Sequence, residues 1–267
     1  MSPTRPLDEA LDAAAEAESL LVATDFDGVL APFEAEPMDA APTPGSMETL
    51  RSLAALPGVH VAVISGRDLS TLRSLTGIGE DEPIVLIGSH GAESSSEAVR
   101  AAMEAAAVTP EDEKNLAEVR ADIETLLEQH HPKAGIEHKT AAVVVHTRGL
   151  DRADADAAIA DARRVALDHD GVKVLKGKSV IELSVSHADK GSAVTALGRH
   201  VGATARIYLG DDVTDEDAFM RMRRPEDVTV KVGTGSTAAR HRVDDEESAA
   251  ALLSRLVERR RKADSAS

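Results

Sequence analysis

The sequence predicts an α/β fold in which a parallel sheet, covered by helices on both faces, is interrupted by an inserted α+β unit. Short continuous apolar runs alternate with amphipathic segments, which is typical of strands buried on both faces and joined by helical crossovers. In the middle of the chain the order changes to helix, two strands, helix, two strands. The 267 residues suffice for one large domain or for a core with a second, smaller domain.

Helix and strand alternate in the first part of the chain. An Ala- and Glu-rich segment predicts a helix over residues 7–19, and the apolar run Leu20-Leu21-Val22-Ala23-Thr24 predicts a buried strand. The same pattern continues with predicted helices at 46–56 and 68–75 and predicted strands at 59–64 and 83–87.

The middle of the chain has a different order of elements. We predict helices over 111–130 and 154–168, two strands within 135–147 that are broken near Thr140, and a hairpin of strands 172–175 and 179–184. This order predicts an antiparallel sheet with two helices, inserted into the parallel core. The predicted core therefore consists of residues 1–105 and 188–267, and the predicted insertion of residues 106–187.

After the insertion the first pattern resumes. Helices are predicted at 190–200, 215–222 and 248–262, and strands at 205–209 and 228–232. The charged tail that begins at Arg259 is predicted to fray.

Composition and charge exclude several classes of function. The formal net charge of −17 argues against nucleic acid and anionic membranes as partners. The absence of cysteine excludes disulfides, thiolate catalysis and Cys-ligated zinc. No signal peptide and no apolar run of roughly 18 residues is recognised. We therefore expect a cytoplasmic protein, with a monomer as the default state.

Chemically functional side chains follow most of the strands of the predicted parallel sheet. In such sheets ligands bind beyond the carboxyl ends of the strands, so these side chains are expected to lie at one edge. The set comprises Asp25, Asp27, Ser65, Arg67, His90, Asp211, Asp212 and Asp215, with Lys190 at the start of a nearby helix.

The segment Asp25-Phe26-Asp27-Gly28 places two carboxylates two residues apart after a buried strand. In extended backbone, two such side chains can point to the same side. One carboxylate could attack phosphorus, and the other could protonate the leaving oxygen and then activate water. The segment alone is equally compatible with a turn or a helix N-cap.

The remaining residues supply what a phosphate site needs. Asp211 and Asp212 add negative charge that Asp25 can tolerate only beside a cation, and Mg²⁺ prefers such oxygen ligands. Ser65, Arg67 and Lys190 could bind phosphoryl oxygens. The structural alternatives are an acidic loop that caps a helix, a helix N-cap at Ser65, and surface ion pairs.

In order and spacing, these residues resemble the four motifs of the haloacid dehalogenase-like phosphatase superfamily. Those motifs correspond here to Asp25-Phe26-Asp27-Gly28, Ser65, Lys190 and Gly210-Asp211-Asp212-Val213-Thr214-Asp215. Two further segments resemble one family of this superfamily, the trehalose-6-phosphate phosphatases. These segments are Glu137-His138-Lys139 and Gly177-Lys178-Ser179-Val180-Ile181-Glu182-Leu183. The resemblance covers roughly residues 20–257. One departure is Val29, which stands where the superfamily usually has Thr.

The resemblance implies a Rossmann-like core closed by a cap domain, and it implies hydrolysis of trehalose 6-phosphate through a phosphoaspartate. Carried over residue by residue, Asp25 is the nucleophile and Asp27 the general acid/base. The implied Mg²⁺ ligands are the Asp25 side chain, the Asp27 main-chain carbonyl and Asp211. Ser65 and Lys190 would bind the phosphoryl group. The implied substrate contacts are Glu137, Lys139 and Glu182 on the sugar, with Arg67 and His90 also near the substrate.

Other functions remain open at this stage. They include another capped sugar-phosphate phosphatase, a phosphosugar mutase, a receiver-type signalling domain and a non-catalytic sugar-phosphate sensor. Without the resemblance, Glu137, Lys139 and Glu182 are most simply explained as exposed charges that form cross-strand ion pairs.

Overall fold

The structure, a computed structural model, describes residues 5–34, 37–107, 109–139, 141–177, 179–185 and 188–266. The chain divides into two compact units, and each is described separately below. The first unit contains residues 1–104 and 188–267, and the second contains residues 105–187.

A mixed, mainly parallel sheet forms the centre of the first unit. In the described part of the chain it has seven strands: β1 Leu20–Thr24, β2 Val59–Ile64, β3 Ile84–Gly88, β4 Glu93–Ser94, β9 Ala205–Gly210, β10 Asp227–Val232 and β11 His241–Val243. Their order in the sheet is β11-β10-β9-β1-β2-β3-β4, and only the β3–β4 pair is antiparallel. The central strand β1 is buried along its whole length.

Helices cover both faces of this sheet. They are α1 Leu7–Ala15, α2 Ser46–Ala54, α3 Leu69–Thr76, α4 Glu97–Ala107, α7 Lys190–His200, α8 Glu216–Arg221 and α9 Glu246–Ala266. Leu20 and Val22 of β1 belong to an apolar cluster with α1, α2, α3 and α9, whereas Leu21 and Ala23 belong to a cluster with α4, α7 and α8. Successive side chains of β1 therefore enter opposite layers, and the predicted fold class is confirmed.

The second unit is a four-stranded antiparallel sheet with two helices. The strands are β5 Gly135–Lys139, β6 Ala142–His146, β7 Lys173–Gly177 and β8 Val180–Ser184, in the order β5-β6-β8-β7, and the helices are α5 Pro110–His130 and α6 Arg152–Leu167. Val143 and Leu183 pack in one cluster with Ile123 of α5 and Ala162 of α6. Both helices therefore cover the sheet face that carries Val143. Thr140, near which a break is predicted, lies outside the described residues.

Several elements differ from the sequence-based expectation. α1 ends at Ala15 rather than at residue 19, because Ser19 is drawn into hydrogen bonds with Thr204 and Val201 where the chain enters β1. The pattern did not predict α4, whose described side chains include only two buried hydrophobics, Val99 and Met103. It also missed β4 and β11, which are too short to show a periodicity.

The C-terminal helix shows that the predicted fraying from Arg259 is wrong. α9 continues to Ala266, and the Arg259 guanidinium pairs with Asp8 and Asp12 of α1. Arg260 donates to the carbonyl oxygens of Ala15, Ala17 and Pro57. These bonds connect the C-terminal part of α9 to α1 and to the segments that follow α1 and α2. Although α5 and α9 each contain 21 residues, none of the helices in the described residues is long and apolar enough to cross a bilayer.

One buried ion pair at the amino ends of β9 and β10 provides a test of this packing. Arg206 forms a bidentate bond with Asp227, with N–O distances of 2.9 and 2.6 Å. We expect Arg206→Met to lower the free energy of unfolding by about 3 kcal/mol, because the buried Asp227 carboxylate loses its bidentate partner and keeps the longer, 3.3 Å ion pair with Arg224. Urea unfolding followed by circular dichroism measures the loss.

The control for this variant is Arg73→Met in the same unit. Arg73 pairs at 3.2 Å with Glu80, whose side chain is 86% exposed. Its replacement should cost no more than about 1 kcal/mol. Equal losses in the two variants would contradict the assignment of Arg206–Asp227 as a buried structural pair.

Candidate active site

Asp25 lies directly beyond the carboxyl end of the central strand β1 and is 4% exposed. Its amide donates to the Leu209 carbonyl of β9 at 2.9 Å, which extends the β1–β9 pairing by one residue. One carboxylate oxygen accepts from the Phe26 amide at 2.6 Å, and the other accepts from Lys190 Nζ at 2.5 Å. The carboxylate is thus fixed by the fold before any ligand binds.

Lys190 links two buried carboxylates. It is the first residue of α7, it is 2% exposed, and its Nζ donates to Asp25 and, at 2.9 Å, to Asp215. A helix start disfavours a positive charge, and burial also opposes it. The two carboxylates outweigh both effects and raise the pKa of Lys190. Lys190 therefore remains an ammonium group.

Asp215 organises the loop that follows β9. Its second oxygen accepts from the amides of Asp211 and Asp212, both at 2.9 Å. Its first oxygen accepts from Lys190 and from the Tyr208 hydroxyl at 2.7 Å. The sequence analysis placed Asp215 near the site but assigned it no role. It did not identify Tyr208, because the sequence shows this residue only as part of a predicted strand. The one available signal was that Tyr208 is the sole tyrosine of the chain.

Asp211 has the property expected of a metal ligand. Its Oδ1 is buried and accepts no hydrogen bond. Burial first, and then the charge of Asp215, raise the pKa of Asp211 to about 7. Burial and Asp215 also raise the pKa of Asp25, although Lys190 opposes the shift. Both carboxylates would be stabilised in their ionised form by a cation.

The acidic cluster has the geometry to hold a divalent metal ion. Oxygen atoms of Asp25, Asp211 and Asp215 lie within 4.8 Å of one another. Each oxygen of Asp215 already accepts two hydrogen bonds, whereas each oxygen of Asp25 accepts one and Oδ1 of Asp211 accepts none. Asp25 and Asp211 are therefore the better placed ligands, and Asp215 acts by fixing the loop that carries Asp211.

Lys231 is a further cation at this cluster that sequence reasoning missed. It lies in β10, paired with Gly210 of β9, and is 5% exposed. Its Nζ donates to the main-chain oxygen of Asp211. Its sequence context, an apolar strand, gave no sign of this contact.

Two glycines are required for the close packing of the site. Gly28 has a φ of +69°, and a Cβ there would lie 2.3 Å from a carboxylate oxygen of Asp211. A Cβ at Gly66 would lie 2.5 Å from the His90 ring. His90 itself has a φ of +56°, a conformation that is uncommon outside glycine and is found preferentially at functional sites.

Asp27 and Arg67 form a bidentate ion pair. The two N–O distances are 2.7 and 2.6 Å, and both side chains are largely buried. The guanidinium also lies 5.7 Å from the centre of the Phe26 ring. Arg67, a predicted substrate contact, is therefore hydrogen-bonded to Asp27, the predicted general acid/base.

Ser65 follows β2, which is the neighbour of β1, and is 1% exposed. Its Oγ accepts from the Arg67 amide at 3.2 Å. The N-cap of α3 is Asp68, whose carboxylate accepts from the Thr71 amide. Asp68 therefore occupies the N-cap position of α3, so Ser65 does not have the alternative role of capping this helix.

The predicted sugar contacts lie in the second unit. Glu137 of β5 and Glu182 of β8 both pair in register with Val144 of β6, so they lie on the same sheet face. This face is opposite to the one that α5 and α6 cover. The backbone of Lys139 belongs to β5, but its side chain lies outside the described part of the structure.

A family model and several curated relatives identify the family of this chain. The model of the trehalose-phosphatase family matches residues 23–250. Trehalose-phosphate phosphatases of Mycobacterium avium and Mycobacterium bovis are 34% and 33% identical to this chain, over 88% and 96% of it. The alignments cover 61% and 67% of those two proteins. A Mycobacterium tuberculosis protein described as an uncharacterized glycosyl hydrolase is 38% identical over 74% of this chain but only 15% of its own length.

The chain thus spans less than two thirds of the length of most of these relatives. Solved structures show the same fold over nearly the whole chain. The trehalose-6-phosphate phosphatase of Aspergillus fumigatus gives a TM-score of 0.64 at 24% identity, with 97% of this chain and 99% of that chain covered. The C-terminal domain of the Candida albicans enzyme gives 0.60 at 23% identity, with 97% and 98% covered. On its sequence, and with a fold that agrees, the chain belongs to the trehalose-phosphatase family.

Proposed function

We propose that this protein hydrolyses trehalose 6-phosphate to trehalose and phosphate through a phosphoaspartate on Asp25. In this proposal the first unit is the catalytic core and the second is the cap domain. The observation that carries it is the fixed, buried Asp25 carboxylate between Lys190 and the unpaired oxygen of Asp211. The substrate rests on membership in the trehalose-phosphatase family.

In the first step the Asp25 carboxylate attacks phosphorus, and the bond to the sugar oxygen breaks. Asp27 gives its proton to that oxygen, so trehalose leaves as a neutral alcohol. Lys190, held beside Asp25, neutralises charge on the phosphoryl oxygens, and Ser65 donates a hydrogen bond to one of them. In the structure both carboxylate oxygens of Asp27 accept from Arg67, so in this proposal Asp27 leaves that pair and takes up a proton from solvent before the first step.

In the second step Asp27 takes a proton from water, and the water oxygen attacks phosphorus. The bond to Asp25 breaks, and phosphate leaves. Lys190 then donates a hydrogen bond to the regenerated Asp25 carboxylate, as it does in the structure. Each group thus returns to its starting protonation state.

Mg²⁺ is the proposed metal, since the donors are hard carboxylate oxygens. The carboxylates of Asp25 and Asp211 would hold it, together with the Asp27 carbonyl. When bound, the ion would offset the phosphate charge and permit Asp25 to be ionised. The unpaired Asp211 oxygen supports this assignment.

For the sugar we propose contacts with Glu137, Lys139 and Glu182. Carboxylates accept hydrogen bonds from hydroxyl groups, of which trehalose has many. Support comes from the shared sheet face of Glu137 and Glu182. His90 is proposed to contact the substrate near the phosphate.

Replacement of the nucleophile tests the reaction directly. We expect Asp25→Asn to lower phosphate release from trehalose 6-phosphate by at least about 10³-fold, because the amide cannot form the covalent intermediate. The matched control is Asp81→Asn, which alters an exposed aspartate of the same unit and should keep full activity. Near-wild-type phosphate release by Asp25→Asn would end the proposal.

Metal binding is tested by Asp211→Asn. We expect the Mg²⁺ concentration for half-maximal activity to rise by at least about tenfold, because one charged ligand is lost. Isothermal titration should show the same loss without substrate. The wild-type affinity should also fall as the pH drops below about 7, since protons then compete for Asp211. Unchanged metal affinity in the variant would refute this ligand assignment.

Sugar specificity is tested with Glu182→Gln and a panel of trehalose, sucrose, mannose and glucose phosphates. We expect the wild type to prefer trehalose 6-phosphate. The variant should raise KM for that substrate by about tenfold, because a charged acceptor for hydroxyls is lost. An equal rate on all four phosphates, in both proteins, would argue for another sugar-phosphate phosphatase.

A further inference from the structure

We propose that His146 is a positioning residue that holds Glu137 in the orientation in which it accepts a sugar hydroxyl. The inference rests on the proposed function, because it assigns a partner to one of the proposed sugar contacts. It comes from a hydrogen bond in the second unit, in which His146 Nε2 lies 2.9 Å from Glu137 Oε2.

The strand register places these two side chains on one face. Glu137 of β5 pairs with Val144 of β6, and His146 follows two residues later on the same strand. The two residues are diagonal neighbours, which lie within reach of long side chains. Glu182 of β8 pairs with Val144 from the other side. The His146–Glu137 pair therefore belongs to the face that carries both proposed sugar contacts.

Stability does not account for this pair. The side chains of His146 and Glu137 are 41% and 50% exposed. Ion pairs with that degree of exposure contribute only about 0–1 kcal/mol to folding. The pair also lies on the face opposite to the helix-packed one, so the core of the unit does not need it.

The hydrogen-bond chemistry fits recognition of a hydroxyl group. His146 donates from Nε2–H to one carboxylate oxygen, which leaves the second oxygen of Glu137 to accept from a ligand. A fixed carboxylate loses less rotational freedom on binding than a mobile one. Glu137 and Glu182 are separated by two strand spacings, about 10 Å. Two acceptors at that separation suit a ligand with hydroxyls along its length, such as a disaccharide.

The other sheet face offers a matched control pair. His138 of β5 lies 3.2 Å from Glu124 of α5, and its side chain is also 41% exposed. It alternates with Glu137 along the strand and points to the helix-covered face. The two histidines therefore match in exposure and in partner type, and they differ in the face they occupy.

The experiment measures kcat and KM for trehalose 6-phosphate in the 267-residue chain with the substitutions His146→Leu, His146→Gln and His138→Leu. We expect His146→Leu to raise KM about fivefold with little change in kcat, because binding is weakened in the ground state and transition state alike. Gln offers a donor at a similar position, so His146→Gln should stay close to the wild type. His138→Leu should change neither constant.

A second comparison separates positioning from a general structural effect. Added to Glu137→Gln, His146→Leu should cause no further rise in KM, and the thermal unfolding midpoint of His146→Leu should equal that of the wild type. A wild-type KM in His146→Leu, or an equal rise in His138→Leu, would overturn the inference while the proposed function stands. Absence of phosphate release from any sugar phosphate by the wild type would instead overturn the proposed function, and the inference with it.

Discussion

The ammonium group of Lys190 holds the site together. It bridges Asp25 at the end of β1 and Asp215 in the loop after β9, and it does so from the first residue of α7. Three separate segments therefore meet at one buried cation. Removal of that cation would leave two buried carboxylates without their charged partner, which is among the most costly changes a core can suffer. Such ion pairs rarely add net stability, so this arrangement is better explained by the chemistry it prepares than by folding.

The charge balance at the sheet edge supports the proposed divalent cation. Five carboxylates lie at this sheet edge, those of Asp25, Asp27, Asp211, Asp215 and the exposed Asp212, together with three cationic side chains, those of Lys190, Arg67 and Lys231. The carboxylates exceed the cationic side chains by two negative charges. Oδ1 of Asp211, which accepts no hydrogen bond, belongs to this group of carboxylates. In the proposed function the site also receives a phosphate group, which would add to that excess. The raised pKa values of Asp25 and Asp211 express the same deficit of positive charge.

The sequence predicted those parts of the site that follow from topology. Asp25, Ser65 and Asp211 come directly after parallel strands and His90 comes two residues after one, and strand ends meet at one edge whatever the details of packing. The side-chain partners could not be predicted in this way. The bond between Asp27 and Arg67 joins residues 40 positions apart, and the Tyr208 hydroxyl reaches Asp215 from within a strand that is otherwise apolar except for Arg206. Likewise, α9 does not fray at Arg259, because its partners lie in α1 at the opposite end of the chain.

The central claim is that Asp25 carries the phosphoryl group between the two steps. The most direct measurement is acid quenching of the protein during turnover of trehalose 6-phosphate, followed by peptide mass spectrometry. Asp27→Asn should slow the second step and let the intermediate accumulate. We expect the mass of one phosphoryl group on the peptide that contains Asp25. Turnover with no phosphorylated peptide, or with the group on another residue, would contradict this account.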